Sequence, residues 1–180
     1  MYYYFAATLP MLHFDGNLPF SVDTFVEDCQ RLLKPDDVAD ILIALERSDG
    51  QPKSVVLRQW QEFSRCLKNE IAWGRAAARQ QNPTAVIQGE RAFDAEVTNA
   101  LTQTSRTENL LEAQIMLLQM QWHRADQLVI NQFFSIDFIL MYGVKLRLLE
   151  RLNAFKSGQG AALLEKMVSQ AAQQNTALAE

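Results

Sequence analysis

Glycine and proline are scarce in this chain, with seven of the first and five of the second in 180 residues. So few breakers leave long uninterrupted segments, which favours helices over a fold of many short strands. Cysteine is equally sparse. Cys29 and Cys66 stand alone without a Cys-x-x-Cys spacing, which excludes zinc-finger and thioredoxin-type motifs. They read as reduced, buried thiols of a reducing compartment, with a disulfide between them as the alternative. Histidine is limited to His13 and His123, and no second His or Cys lies at ligand spacing from either. Each therefore reads as a surface or half-buried polar residue rather than a general base or metal ligand. No apolar run reaches the roughly 18 residues that a membrane span requires. The opening MYYYFAATLPML lacks a basic region and does not read as a secretory signal. Concentrated positive charge is missing too. Lys and Arg number 17 against 21 Asp and Glu, a net charge of −4 spread along the chain, which argues against nucleic acid as a partner.

What is present is apolar periodicity. With 48% of residues hydrophobic, a packed core is expected and disorder is not. The aromatic start, YYYFAATL, lacks helical spacing and is expected to be extended or irregular. Two Leu-Pro steps around Asp15-Gly16 mark a turn. The first helix is expected from Ser21. Serine is a good N-cap, Asp23 suits the positive end of the helix dipole, and Phe20 and Phe25 hold the positions of a hydrophobic staple. Pro35 opens a second helix as its first residue, which ends near Ser48-Asp49-Gly50. In that helix Asp36 and Asp37 read as dipole partners, not as a catalytic acid pair.

Ser54 caps a long third helix with the seam Val56, Trp60, Phe63, Leu67, Ile71, Gly74 and Ala78. Asn82-Pro83 breaks it. Thr84 is expected to cap a fourth helix that turns Val86, Phe93, Val97 and Leu101 inward. The polar run Thr102 to Ser105 reads as a hinge or loop. A fifth helix follows from Thr107 to about Asn131, with Leu111, Ile115, Leu118, Trp122, Ala125 and Val129 inward. Met116, Leu117 and Met120 widen its apolar arc, so it should be buried on more than one side. A sixth helix starts at Ser135, where FSID echoes the earlier FSVD. The echo fits either a duplication or shared capping chemistry. After the loop 157–160, a seventh helix is expected at about 161–174, with Leu164, Met167, Val168 and Ala171 on its stripe, before a fraying tail. The sum is an all-α bundle of six or seven helices. It forms one domain over 1–180, or two subdomains over 1–103 and 107–180.

Chemistry is hard to find in this pattern. There is no phosphate-binding glycine loop, no nucleophile elbow and no Glu-x-x-His di-iron signature. Arg75 and Arg79 are one helical turn apart, and Arg91 follows. Together with Trp73 these arginines form a candidate surface for an acidic partner or phosphate, although a solvated helix face explains them as well. Trp60 and Trp122 lie on core seams, whereas Trp73 could face either way.

Two segments carry a family resemblance. Residues 133–155, FFSIDFILMYGVKLRLLERLNAF, join an aromatic pair and a serine cap to an apolar helix that ends in Lys145, Arg147, Glu150 and Arg151. This resembles the C-terminal part of the C/d-type family of helical coupling proteins in rotary V-type and archaeal-type ATPases. The opening, YYYFAATLPMLHFDGNLPFSVDTFVEDCQRLL, looks like that of short bacterial proteins encoded beside V-type ATPase genes. The resemblance implies a non-catalytic rotor component without a cofactor, linking the central-shaft subunits to the membrane rotor ring. It also implies a cytoplasmic location, peripheral to the inner membrane through partner subunits. That family has three related helical units and this chain is too short for three, so it would supply fewer units or pair as a homodimer. A free-standing helical adaptor with another protein partner is the competing reading. An enzyme that uses His123 is the third.

Overall fold

The structure is a computed structural model that describes residues 2–156. The expected 157–160 loop and the seventh helix at 161–174 lie outside the described residues. Among those described there are seven α-helices and no strand. They are α1 (Tyr2–Thr8), α2 (Val22–Leu32), α3 (Pro35–Ala44), α4 (Val55–Ala78), α5 (Ala95–Ser105), α6 (Leu110–Leu128) and α7 (Ile136–Lys156), with a 3₁₀ turn at Pro83–Ala85.

Local chemistry sets most of the starts. The Ser21 hydroxyl accepts from the Thr24 amide at 3.1 Å, Ser54 from Leu57 at 3.0 Å, and Ser135 from Phe138 at 3.2 Å. Each satisfies one of the amides that a helix leaves unpaired at its beginning. Pro35 stands at the first turn of α3, where its missing amide costs nothing. The end of α3 is a Schellman motif. The Arg47 amide donates to the Leu42 carbonyl at 2.8 Å and the Glu46 amide to Ile43 at 3.0 Å. That geometry holds Glu46 at φ +53°, a conformation glycine usually supplies. Buried Asp40 then accepts from the Lys53 and Ser54 amides at 3.1 and 3.0 Å, tying α3 to the start of α4.

The centre of the molecule is α7. Helices α1, α2, α3, α4 and α6 all pack against it. Ile139, Leu140, Met141, Leu146, Leu149 and Leu152 are completely buried. A helix apolar around most of its circumference belongs inside, and each such side chain contributes ~1.5–3 kcal/mol on leaving water. At Gly143 the α7 backbone lies close against a side chain of α2. A Cβ built there would stand 2.8 Å from Cε1 of Phe25, which is itself fully buried. Tyr142 stacks near the Phe20, Phe25 and Phe138 rings and donates its hydroxyl to the Pro10 carbonyl at 3.0 Å.

Several expectations need correction. The aromatic start is a helix, not an extended strip. Phe5 and Ala6 turn into the core, and the Tyr2 hydroxyl donates to Asp37 at 2.8 Å, so tertiary contacts override weak propensity. Thr84 caps no helix. Val86 and Phe93 are exposed, and Gly89 at φ +68° interrupts the segment. The helix begins only where Asp94 accepts from the Glu96 and Val97 amides. Thr102 to Ser105 is the last turn of α5 and neither a hinge nor a loop, and the break falls at 106–109. In addition, the α4 seam is core from Val56 to Leu67 but runs out into solvent at Gly74 and Ala78.

Candidate functional site

One recess is a cleft of about 620 Å³ between α4 and α6, with α7 as its floor and the end of α3 closing it. Its depths are apolar: Leu67 from α4, Leu117 and Leu118 from α6, Val144 and Leu148 from α7. Its rim is mainly cationic, with Lys68, Arg75, Arg147 and Arg151 against Glu46 and Glu150.

Glu46 organises one end. Its carboxylate receives Lys68 Nζ at 2.8 Å and an Arg147 Nη at 2.6 Å, while the other Arg147 Nη donates to the Leu45 carbonyl at 2.7 Å. The hydrogen bond from Lys68, and then that from Arg147, hold the Glu46 carboxyl below the usual glutamate range. The left-handed backbone at Glu46 points this carboxylate between α4 and α7. The other two cations differ. Among the described residues, neither Arg75 nor Arg151 has an ion-pair partner, and the Arg151 guanidinium lies 5.5 Å from the Phe155 ring. The cleft therefore presents an apolar floor with spare positive charge along its edge. Such a surface suits a partner that carries an apolar ridge flanked by carboxylates.

The four residues singled out from the sequence divide among three places. Trp73 and Arg91 meet, with the guanidinium 4.2 Å from the ring centroid. Arg91 is also held by Glu70 through two hydrogen bonds of 2.6 and 2.9 Å, which lowers the Glu70 carboxyl and raises the arginine. This pair fastens the segment 82–94 to α4 and leaves Arg91 engaged. Two further ties act beside it. Asn69 exchanges hydrogen bonds with the Gln88 backbone at 2.8 and 2.9 Å, and the Cys66 thiol donates to the Ala92 carbonyl at 3.2 Å. Arg75 lines the cleft. Arg79 is the exposed C-cap of α4 and belongs to neither group.

Sequence reading missed Glu46, Lys68, Arg147 and Arg151 as a set. Only the Arg147/Arg151 spacing of one turn, parallel to that of Arg75/Arg79, hinted at it.

A second recess of about 460 Å³ lies between the loop after α1 and the α6–α7 turn. It is lined by Leu12, Val129, Phe138, Met141 and Tyr142, with Met11, Ile130 and Phe133 standing out at its edge. Among the described residues its only charged lining residues, Asp126 and Lys145, pair with each other at 2.7 Å.

The remaining chemical candidates are separated. Asp36 pairs with Lys53, and Asp37 accepts from Tyr2. Both cysteines are free and buried, and desolvation pushes the Cys29 thiol up to about 12. No group of three or more His, Cys, Asp or Glu is placed to hold a metal among the described residues. No helix there is long and apolar enough to cross a membrane. No protein-family model matches the chain, and no curated protein or solved structure does either.

Proposed function

We propose that this chain is a non-catalytic coupling component that holds two protein surfaces in fixed relation through α7. In the assembly its sequence resembles, a rotary V-type ATPase, those surfaces belong to the central shaft and the membrane rotor ring. The observation that carries the reading is the placement of the two recesses on α7. One uses Phe138, Met141, Tyr142 and Lys145; the other uses Val144, Arg147, Leu148, Glu150, Arg151 and Ala154. At 3.6 residues per turn the two sets lie roughly 150° apart, and they are offset along the helix axis by about 11 Å. A single buried helix thus backs two binding faces, and load applied at one is carried to the other through close-packed side chains, which deform little.

The cleft is the face proposed for the partner protein, because its apolar floor and the arginines that have no ion-pair partner among the described residues define what must fill it. The test is binding of the purified chain to purified shaft and ring proteins, measured for the native sequence and for Arg75→Glu/Arg151→Glu. Native binding that weakens roughly tenfold or more in the charge-reversed protein supports the proposal. Native protein that binds neither one contradicts the rotary assignment. A free-standing adaptor would use the same cleft for a different protein.

A further inference from the structure

We propose that the cleft between α4 and α6 is held, in the free chain, by residues 161–174 of the same chain, folded back along α7. The inference rests on the reading of the cleft as a docking face and adds its regulation: a protein partner enters by displacing this segment.

Position is the first argument. The floor of the cleft on α7 runs from Val144 to Ala154, and α7 is described to Lys156, so the chain leaves α7 at the end of the cleft itself. Residues 157–180 follow, outside the described residues. Ser157-Gly158-Gln159-Gly160 has the composition of a tight reversal, and a connection of that length is enough to join antiparallel helices. As a helix, residues 161–174 span about 21 Å. The α7 floor spans about 15 Å, and the α4 wall from Trp60 to Arg75 about 22 Å. A helix returning along α7 therefore matches the cleft in length.

Pattern and charge are the second. Leu164, Met167, Val168 and Ala171 recur at intervals of three and four and form one apolar stripe, which suits the apolar depths at Leu67, Leu117 and Leu148. At 3.6 residues per turn, Glu165 falls about 110° from the middle of that stripe and Lys166 about 150°. The acid of the segment is thereby set on the flank that meets the rim, and its base faces water. On the rim Lys68, Arg75, Arg147 and Arg151 outnumber Glu46 and Glu150. Arg75 and Arg151 have no ion-pair partner among the described residues. Tethering favours this occupant over any free one. A short linker gives the segment an effective concentration on the order of millimolar at the cleft.

The experiment is cross-linking of the full chain carrying Gln114→Cys/Ser169→Cys with a short bis-maleimide, the linked peptides being identified by mass spectrometry. Gln114 lines the cleft from α6 and is half-buried, and the antiparallel return brings Ser169 to its level. Cys29 and Cys66 are buried, and single-cysteine variants account for their reaction. Gln132→Cys/Ser169→Cys is the comparison, because Gln132 is exposed at the α6–α7 turn. A 114–169 link within one chain that forms roughly tenfold or more faster than the 132–169 link, and slows by a similar factor on Leu164→Ser/Met167→Ser, supports the proposal. Absence of the 114–169 link overturns it, as does a link indifferent to Leu164→Ser/Met167→Ser. A link joining two chains would give the cleft to a second copy and also overturns it. No partner takes part in the readout, so it can fail while the Arg75→Glu/Arg151→Glu binding test succeeds, and the reverse.

Discussion

Helix α7 and the segment 82–94 that crosses α4 are held in opposite ways. Along α7 nearly every residue from Ile139 to Leu149 is buried, and cohesion comes from apolar area. In 82–94 no residue is buried, and attachment depends on a few directed contacts: Asn69 with Gln88, Cys66 with Ala92, and Arg91 with Glu70 and Trp73. Apolar packing is shared among many atoms and fails only globally. A strap held by point contacts can open while the body stays folded. The difference separates a stiff region of the molecule from one that can open by itself.

The largest expected effect lies in α7. Leu149→Ala removes a fully buried side chain from the middle of the core, and a loss of about 2–5 kcal/mol in urea unfolding is expected. Gly143→Ala should follow. Alanine gains ~1 kcal/mol of helix propensity, but its methyl would collide with a Phe25 ring that has no room to retreat. Overpacking of ~1–3 kcal/mol should exceed that gain and give a net loss. A stabilised Gly143→Ala protein would show that α2 and α7 are less tightly fitted than described.

Asn69→Ala tests the strap. It strips both partners from the Gln88 backbone, and about 1–3 kcal/mol of local stability should disappear. Hydrogen exchange should accelerate in 82–94 and stay unchanged in α7. Equal acceleration in both would erase the contrast between them.

Acid should act on the same contrast more weakly. The Glu70 and Glu46 carboxyls are held below the ordinary glutamate value of 4.5, by Arg91 and by Lys68 with Arg147 respectively. A folded-state value below the unfolded one gives stability that is present above the unfolded value and lost as pH falls through the folded one. Proteolysis of 82–94 should therefore rise below pH 4.5 before the helix signal falls. An Arg91→Gln protein, whose Glu70 lacks that partner, should show less of this pH dependence.

Much of the fold could be read from the sequence where one residue type does one local job. Ser21, Pro35 and Ser54 start the helices expected of them, because a cap acts within a single turn. The periodic seams of α4 and α6 place Trp60 and Trp122 in the core as spacing predicts. Where the reading erred, distant contacts decided. Tyr2 to Thr8 becomes helical because Asp37 and the core receive it, and no local pattern encodes that. Phe93 looks like core by spacing yet is 83% exposed, because Gly89 and the strap contacts fix the backbone instead. The cleft was hidden for the same reason. Glu46, Lys68, Arg75 and Arg147 come from the end of α3, from α4 and from α7, and only the bundle brings them to one rim.

The claim that α7 is the stiff member of the molecule is tested most directly by native-state hydrogen exchange across a denaturant series. The amides of residues 140–152 should form the slowest class, opening only with global unfolding and with its full denaturant dependence. Opening of α7 amides at lower free energy than those of α4, without that dependence, would contradict the account.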